Sequence, residues 1–124
     1  MRKEKISILI PAYNEEEVIV STIGETVKVL EELNFDFEVI VIDDGSNDNT
    51  YIYVQENLKY FNNKVTIKKY CSNKGKGFAI KHGCNYITGD YVLFLDADMD
   101  LHPSQINSFL SIIKKEETDL VLGS

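Results

Sequence analysis

Residues 91 to 98, Tyr-Val-Leu-Phe-Leu-Asp-Ala-Asp, form an uninterrupted apolar run that ends in two carboxylates one residue apart, Asp96 and Asp98. A run without polar alternation suits a strand buried on both faces, the habit of parallel sheets covered by helices on each side. The C-terminal end of such a strand is where open α/β sheets place their ligands. Two anions at that end either begin a turn, as Asp commonly does, or share a hard divalent cation such as Mg²⁺ or Mn²⁺ with the oxygens of a phosphorylated ligand.

The chain of 124 residues is long enough for one domain with a real core and short for an enzyme that binds two substrates. Its formal charge of −7 argues against a basic patch that holds a polyanion, so nucleic acid is not expected as a partner. A phosphorylated ligand would need help from a metal. Cys71 and Cys84 match neither a zinc spacing nor a disulfide framework and are expected to be reduced. The apolar stretch Ile6 to Ile10 is interrupted by Ser7 and stopped by Pro11, too short for a signal peptide or a membrane span.

Strand and helix patterns alternate, which points to right-handed βαβ units and a mainly parallel sheet. Strands are expected at Ile6–Ile10, Val39–Ile42, Val65–Tyr70, Tyr91–Leu95 and Leu120–Leu122, the third carrying two lysines as an edge strand does. Asn14 is a candidate cap for a helix whose first turn is Glu15, Glu16 and Glu17 and whose apolar stripe is Ile19, Ile23, Val27 and Leu30. Ser46 or Asp48 would cap a second helix from about Thr50 to Phe61. A third, from Gly75 to Ile87, would turn Ile80, Cys84 and Ile87 inward, with Ala79 and Gly83 permitting close packing. A fourth starts near Pro103. The fold class is therefore α/β, a Rossmann-like three-layer α/β/α arrangement. Strand order 3-2-1-4 would place the winding reversal between the first and fourth strands and bring Pro11–Glu15, Asp43–Ser46 and Asp96–Asp100 to one mouth.

Four segments occur in the order seen in family 2 glycosyltransferases of the GT-A fold: Ile-Pro-Ala-Tyr-Asn-Glu-Glu-Glu (10 to 17), Val-Ile-Asp-Asp-Gly-Ser-Asn-Asp-Asn-Thr (41 to 50), Asn-Lys-Gly-Lys-Gly-Phe-Ala-Ile-Lys-His-Gly (73 to 83) and Leu-Asp-Ala-Asp (95 to 98). The chain resembles most the dolichyl- and polyprenyl-phosphate mannosyl and glucosyl synthases, over essentially its whole length. Residues 1–124 would then be a single nucleotide-sugar-binding domain, shortened relative to a full glycosyltransferase, with the acceptor machinery lying beyond Ser124.

The resemblance implies an inverting transfer of sugar from a UDP- or GDP-linked donor, with Mg²⁺ or Mn²⁺ as cofactor. The acceptor would be a polyprenyl phosphate or another glycan or lipid, the setting cytoplasmic or the cytoplasmic face of a membrane. It implies that Pro11, Tyr13 and Glu15 line the nucleoside pocket and that Asp44, with Asp43 beside it, contacts the base. A carboxylate suits an imino N–H or ribose hydroxyls, and a Tyr ring offers an apolar face to a heterocycle. The plainer alternatives are a turn and helix cap for Asp43 and Asp44, packing for Tyr13, and a helix-dipole partner for Glu15. Asp96 and Asp98 are implied as the catalytic metal pair, Asp98 the firmer ligand. A Gln usual two residues further on is replaced by Asp100, which either joins the metal or merely precedes the next helix. His102 reads as a cap or a solvated side chain.

Gly75-Lys76-Gly77 lacks the spacing of a Walker loop, so a P-loop is excluded. Its glycines would bring the helix close to the donor, with Lys74 or Lys76 reaching phosphate; a surface loop with solvated lysines is the alternative. A receiver domain of a response regulator has its acidic pair after the first strand and a Lys ending the fifth, neither of which is present. A nucleotidyltransferase would have a Gly-rich first loop where this chain has Pro11-Ala12-Tyr13-Asn14. A nucleotide-sugar-binding module without turnover remains as the rival of the enzyme.

Overall fold

The computed structural model describes residues 4–33, 35–98 and the backbone of 120–122. Five strands form one all-parallel sheet in the order β3-β2-β1-β4-β5. They are β1 (Lys5–Ala12), β2 (Asp36–Asp44), β3 (Val65–Tyr70), β4 (Tyr91–Phe94) and β5 (Leu120–Leu122). Between them run α1 (Ile19–Glu32), α2 (Thr50–Asn57) and α3 (Lys76–Gly83), the last two continued by 3₁₀ turns at Leu58–Tyr60 and Cys84–Tyr86. The expected 3-2-1-4 order holds, and β3 is an edge strand of the described sheet. The helix expected near Pro103 lies outside the described residues.

Side chains of successive strand residues point to opposite faces, so an apolar run fills two cores at once. Ile6, Ile8 and Ile10 of β1 with Val39 and Val41 of β2 face α1 and α2, joining Ile19, Ile23, Val27, Leu30 and Val54. Leu9, Ile40, Ile42, Val92 and Phe94 face the other way, against Ala79 of α3. Each fully buried Ile or Leu contributes roughly 1.5–3 kcal/mol of transfer free energy, enough to fix the register and hence which strand end carries which loop. On the second face the helix comes very close. A Cβ on Gly83 would stand 2.4 Å from a Leu9 methyl and 3.0 Å from Ile42 Cγ1, so any larger residue would force the buried Leu9 and Ile42 side chains to repack.

Two local expectations change. The first helix begins at Ile19 rather than behind Asn14, because the chain spends the amides of residues 14 to 16 on the neighbouring loop. Asn14 takes φ +52°, its amide donates to Ser46 Oγ (2.8 Å), and its Oδ1 accepts from the Asn47 amide (2.8 Å). Glu15 N donates to Thr50 Oγ1 (2.9 Å) and Glu16 N to Asp48 Oδ2 (3.2 Å). The three glutamates thus occupy the turn before the helix, not its first turn. The second change is at Cys84, which is exposed: the 3₁₀ turn after Gly83 breaks the stripe that an unbroken α-helix would have carried to it.

Candidate functional site

At the C-terminal ends of β1, β2 and β4, beside the point where the winding reverses, lies a cleft of about 280 Å³. Pro11, Ala12, Tyr13, Glu15, Asp44, Lys76, Asp96, Ala97 and Asp98 line it. Seven of these positions were singled out from sequence. Ala12 and Ala97 were not, since small residues carry no chemical signal of their own.

The carboxylate turn after β4 is held at its middle. Ala97 is buried in the core on the α1 side, so its neighbours are left facing the cleft, Asp96 half-buried and Asp98 exposed. Leu95 N donates to Leu9 O (3.0 Å), which extends the β1–β4 pairing to the foot of the turn. Asp96 accepts an ion-paired hydrogen bond from Lys76, the first residue of α3. Among the described residues no cation is paired with Asp98. Burial, then the negative charges of Asp98 and Asp48, raise the Glu15 carboxyl above its usual range, so negative charge is concentrated on this side of the cleft.

Asp44 is the most heavily bonded carboxylate among the described residues. Only 3% exposed, it accepts at Oδ1 from the Tyr70 hydroxyl and the Lys74 amide (2.9 Å), and at Oδ2 from Asn73 Nδ2 (2.9 Å) and the Gly75 amide (2.9 Å). A carboxylate has about four acceptor sites, and all four are used. Tyr70 is itself fixed by edge-on contacts with Phe78 and His82 of α3, both centroids at 5.2 Å. Burial, the Asp44 hydrogen bond and the charges of Asp44 and Asp43 raise its phenol well above the ordinary tyrosine range, keeping it a donor. Asp44 therefore organises residues 73–75 and the start of α3 as well as lining the cleft.

Asp43, expected next to Asp44 on the ligand, is not brought into this cleft. The alternation of β2 turns it toward α2, where it is 3% exposed and Oδ1 accepts from the Ser46 amide (3.0 Å) in an Asx-type turn. It lines a separate hollow with Asp48, Tyr51 and Tyr70. The N-cap position of the second helix is Asn49 and not Ser46 or Asp48; Asp48, one residue earlier, braces the entry turn instead, accepting at Oδ1 from the amide and the hydroxyl of Thr50 (3.0 and 2.5 Å). Burial pushes the Asp48 carboxyl up, but the bonds from Thr50 and from the Glu16 amide outweigh it and hold the group below its usual value. Asp100 and His102 lie outside the described residues.

The cleft thus joins an exposed aromatic ring, a bonded carboxylate, a lysine and two turn carboxylates at the switch point of a parallel sheet. A sequence model of the family described as Glycosyl transferase family 2 matches residues 7–124. The chain belongs to glycosyl transferase family 2. It is 37% identical over 102 residues to the undecaprenyl-phosphate 4-deoxy-4-formamido-L-arabinose transferase of Proteus mirabilis (strain HI4320), a match that covers 82% of this chain and 31% of that protein. Among solved structures it resembles TarS of S. aureus in complex with UDP-GlcNAc, at 26% identity and a TM-score of 0.74, over 93% of this chain and 32% of the other. It also resembles glucosyl-3-phosphoglycerate synthase of Mycobacterium tuberculosis in complex with Mn²⁺, UDP and phosphoglyceric acid, at 28% identity and a TM-score of 0.68, over 89% and 39%. This family 2 chain spans about a third of the length of the curated relative it matches. The four motifs that suggested the family fall on β1, β2, α3 and β4 and on the loops that close its cleft.

Proposed function

We propose that residues 1–124 form the donor-binding domain of an inverting glycosyltransferase that takes a nucleoside-diphosphate sugar and delivers the sugar to a polyprenyl phosphate. The observation that carries this reading is the convergence of Pro11, Tyr13, Glu15, Asp44, Lys76, Asp96 and Asp98 on one cleft. The nucleotides held by related structures and the acceptor in the relative's name support it. The exposed Tyr13 ring offers a stacking face for the base, and Glu15 lies within reach of the ribose side. A base N–H reaches Asp44 in place of one of its four internal donors.

The donor set fits a hard divalent cation, because it consists of carboxylate oxygens in a region of excess negative charge. Among the described residues no group of three or more His, Cys, Asp or Glu side chains is arranged to hold a metal. Asp98 and Asp96 would therefore hold Mg²⁺ or Mn²⁺ together with diphosphate oxygens and water, a common habit of Mg²⁺; Asp100 is the candidate third carboxylate. When bound, the ion supplies Lewis-acid stabilisation of the charge that grows on the leaving nucleoside diphosphate.

The chain's own residues orient the reaction. Lys76 brings a positive charge to the diphosphate side, and the Asp44-bonded loop sets where α3 begins. The acceptor attacks the anomeric carbon from the face opposite the leaving group. A lipid phosphate is already anionic, so it needs no strong general base. Among the described residues no helix is long and apolar enough to cross a membrane. The setting that suits a lipid acceptor is the cytoplasmic face of a membrane.

The test is thermal unfolding with UDP, GDP and their sugars, with and without Mn²⁺, since a ligand that binds only the folded state raises stability with its affinity. One nucleotide should stabilise the protein in a Mn²⁺-dependent way that Asp98→Ala abolishes. Equal stabilisation in chelator would remove the metal from the reading, and a sugar-transfer assay separates an enzyme from a module that only binds.

A further inference from the structure

Thr22 is a polar residue on the buried face of α1, with the side chain 5% exposed among Ile19, Ile23 and Val27. Its hydroxyl donates to the carbonyl of Ala97 at 2.6 Å, a contact between residues 75 apart in sequence. Ala97 is the residue between Asp96 and Asp98, and its methyl group packs into the same core. The turn is thus gripped twice at its centre: by the side chain through packing and by the carbonyl through a buried hydrogen bond. That carbonyl belongs to the peptide that leads into Asp98, so its rotation would re-aim Asp98, and a shift of Ala97 itself would move both carboxylates.

We infer that Thr22 is a positioning residue for the Asp96–Asp98 pair, setting the angle at which the two carboxylates enter the cleft. A hydrogen bond in a dry environment resists distortion more than one in water, because breaking it strands a carbonyl without a partner. Thr26 gives an internal comparison. It sits one turn further along the same buried face, and its hydroxyl donates to Thr22 O at 2.7 Å, within the helix and away from the turn. A merely structural role would make the two threonines alike. A positioning role sets them apart.

The inference rests on the reading of Asp96 and Asp98 as a cation site, and the test separates the two. Mn²⁺ alone is titrated into the full chain, with free ion followed by its electron paramagnetic resonance signal, for the wild type, Thr22→Val, Thr22→Ser, Thr26→Val and Asp98→Ala. Thr22→Val, which keeps shape and loses the hydroxyl, should weaken Mn²⁺ binding about tenfold, the low end of the loss seen when a group that orients metal ligands is removed, because Thr22 acts through the residue between the two carboxylates. Thr22→Ser should stay within about twofold of wild type, and so should Thr26→Val, although both valine variants melt lower. Unchanged binding in Thr22→Val, equal weakening in Thr26→Val, or no rescue by serine overturns the inference. Should Thr22→Val fail to fold, Thr22→Ser against Thr22→Ala makes the same comparison, and equal loss in both overturns it. If the wild type binds no Mn²⁺, or Asp98→Ala binds as the wild type does, the cation reading itself falls and the inference with it.

Discussion

Replacing Asp44 by Asn keeps the shape of the side chain while removing its charge and one acceptor, and the outcome follows from its four donors. If the new NH₂ group took the Oδ2 position, it would face Asn73 Nδ2 and the Gly75 amide, both donors. At the Oδ1 position it meets the Lys74 amide, a fixed donor, and the Tyr70 hydroxyl, which can turn and accept. The second arrangement therefore wins, and only the Lys74 amide is orphaned, at a cost of roughly 1–3 kcal/mol. The three surviving bonds lose their charge assistance, about 1 kcal/mol each, and part of this is offset because a buried charge no longer has to be desolvated. The net loss is about 3 kcal/mol, a fall in Tm of roughly 10 °C for a domain of this size. Circular dichroism melts of Asp44→Asn, Asn73→Ala and the double variant measure it. The two changes share a bond, so the double variant should be less destabilised than the sum by about 1 kcal/mol. A melt within a few degrees of wild type, or strict additivity, would show that the carboxylate is not the hub of this loop.

Three further expectations concern the same cleft. Gly45→Ala puts a Cβ 2.3 Å from the Ser72 carbonyl carbon at φ +68°, so it should cost at least ~2 kcal/mol in urea unfolding and lower nucleotide affinity in step; a neutral result would mean the two loops separate freely. Glu15 is raised above its unfolded value of 4.5, so the stability it offers is present below that pH and lost as pH rises through its folded value. Glu15→Gln should therefore melt higher than wild type at neutral pH with no metal added and lose that advantage in acid, and a lower melt at pH 7 would contradict the placement of Asp98's charge. Lys76→Met frees Asp96 of its cation, so Mn²⁺ alone should bind a few-fold more tightly while UDP or GDP binds more weakly. Parallel changes in both affinities would exclude a lysine shared between the carboxylate and the diphosphate.

The strands were plain in the sequence because burial on two faces demands unbroken apolar runs, and Ile8 with Leu9 supplies both cores from adjacent residues. The same period of two separates Asp43 from Asp44, although their adjacency suggested a joint role on the ligand. Asn14 looks like a helix cap in one dimension and is a brace between loops in three, since its partners Ser46 and Asn47 lie 32 and 33 residues away. The union of Asp44 with Tyr70 and Asn73 depends on strand register, which pairs Asp44 with Tyr70, and no local pattern announces it. Thr22 was hidden for a similar reason. A threonine among isoleucines on a helix reads as a filler until the carbonyl it faces is known.

The position of β1 between β2 and β4 has a consequence for biosynthesis. Residues 5 to 70 contain all the strands of the β3-β2-β1 half, and in that half β1 presents a bare edge of unpaired backbone N–H and C=O groups that will later be the middle of the sheet. At roughly 5–20 residues per second, a ribosome needs on the order of one to four seconds to make the stretch from the end of β3 to the start of β4. During that interval the exposed edge is a template for wrong pairing with another nascent chain. The arrival of β4 closes the edge and delivers Asp96 and Asp98 in one event, so completion of the cleft marks a chain that has left its most vulnerable stage behind.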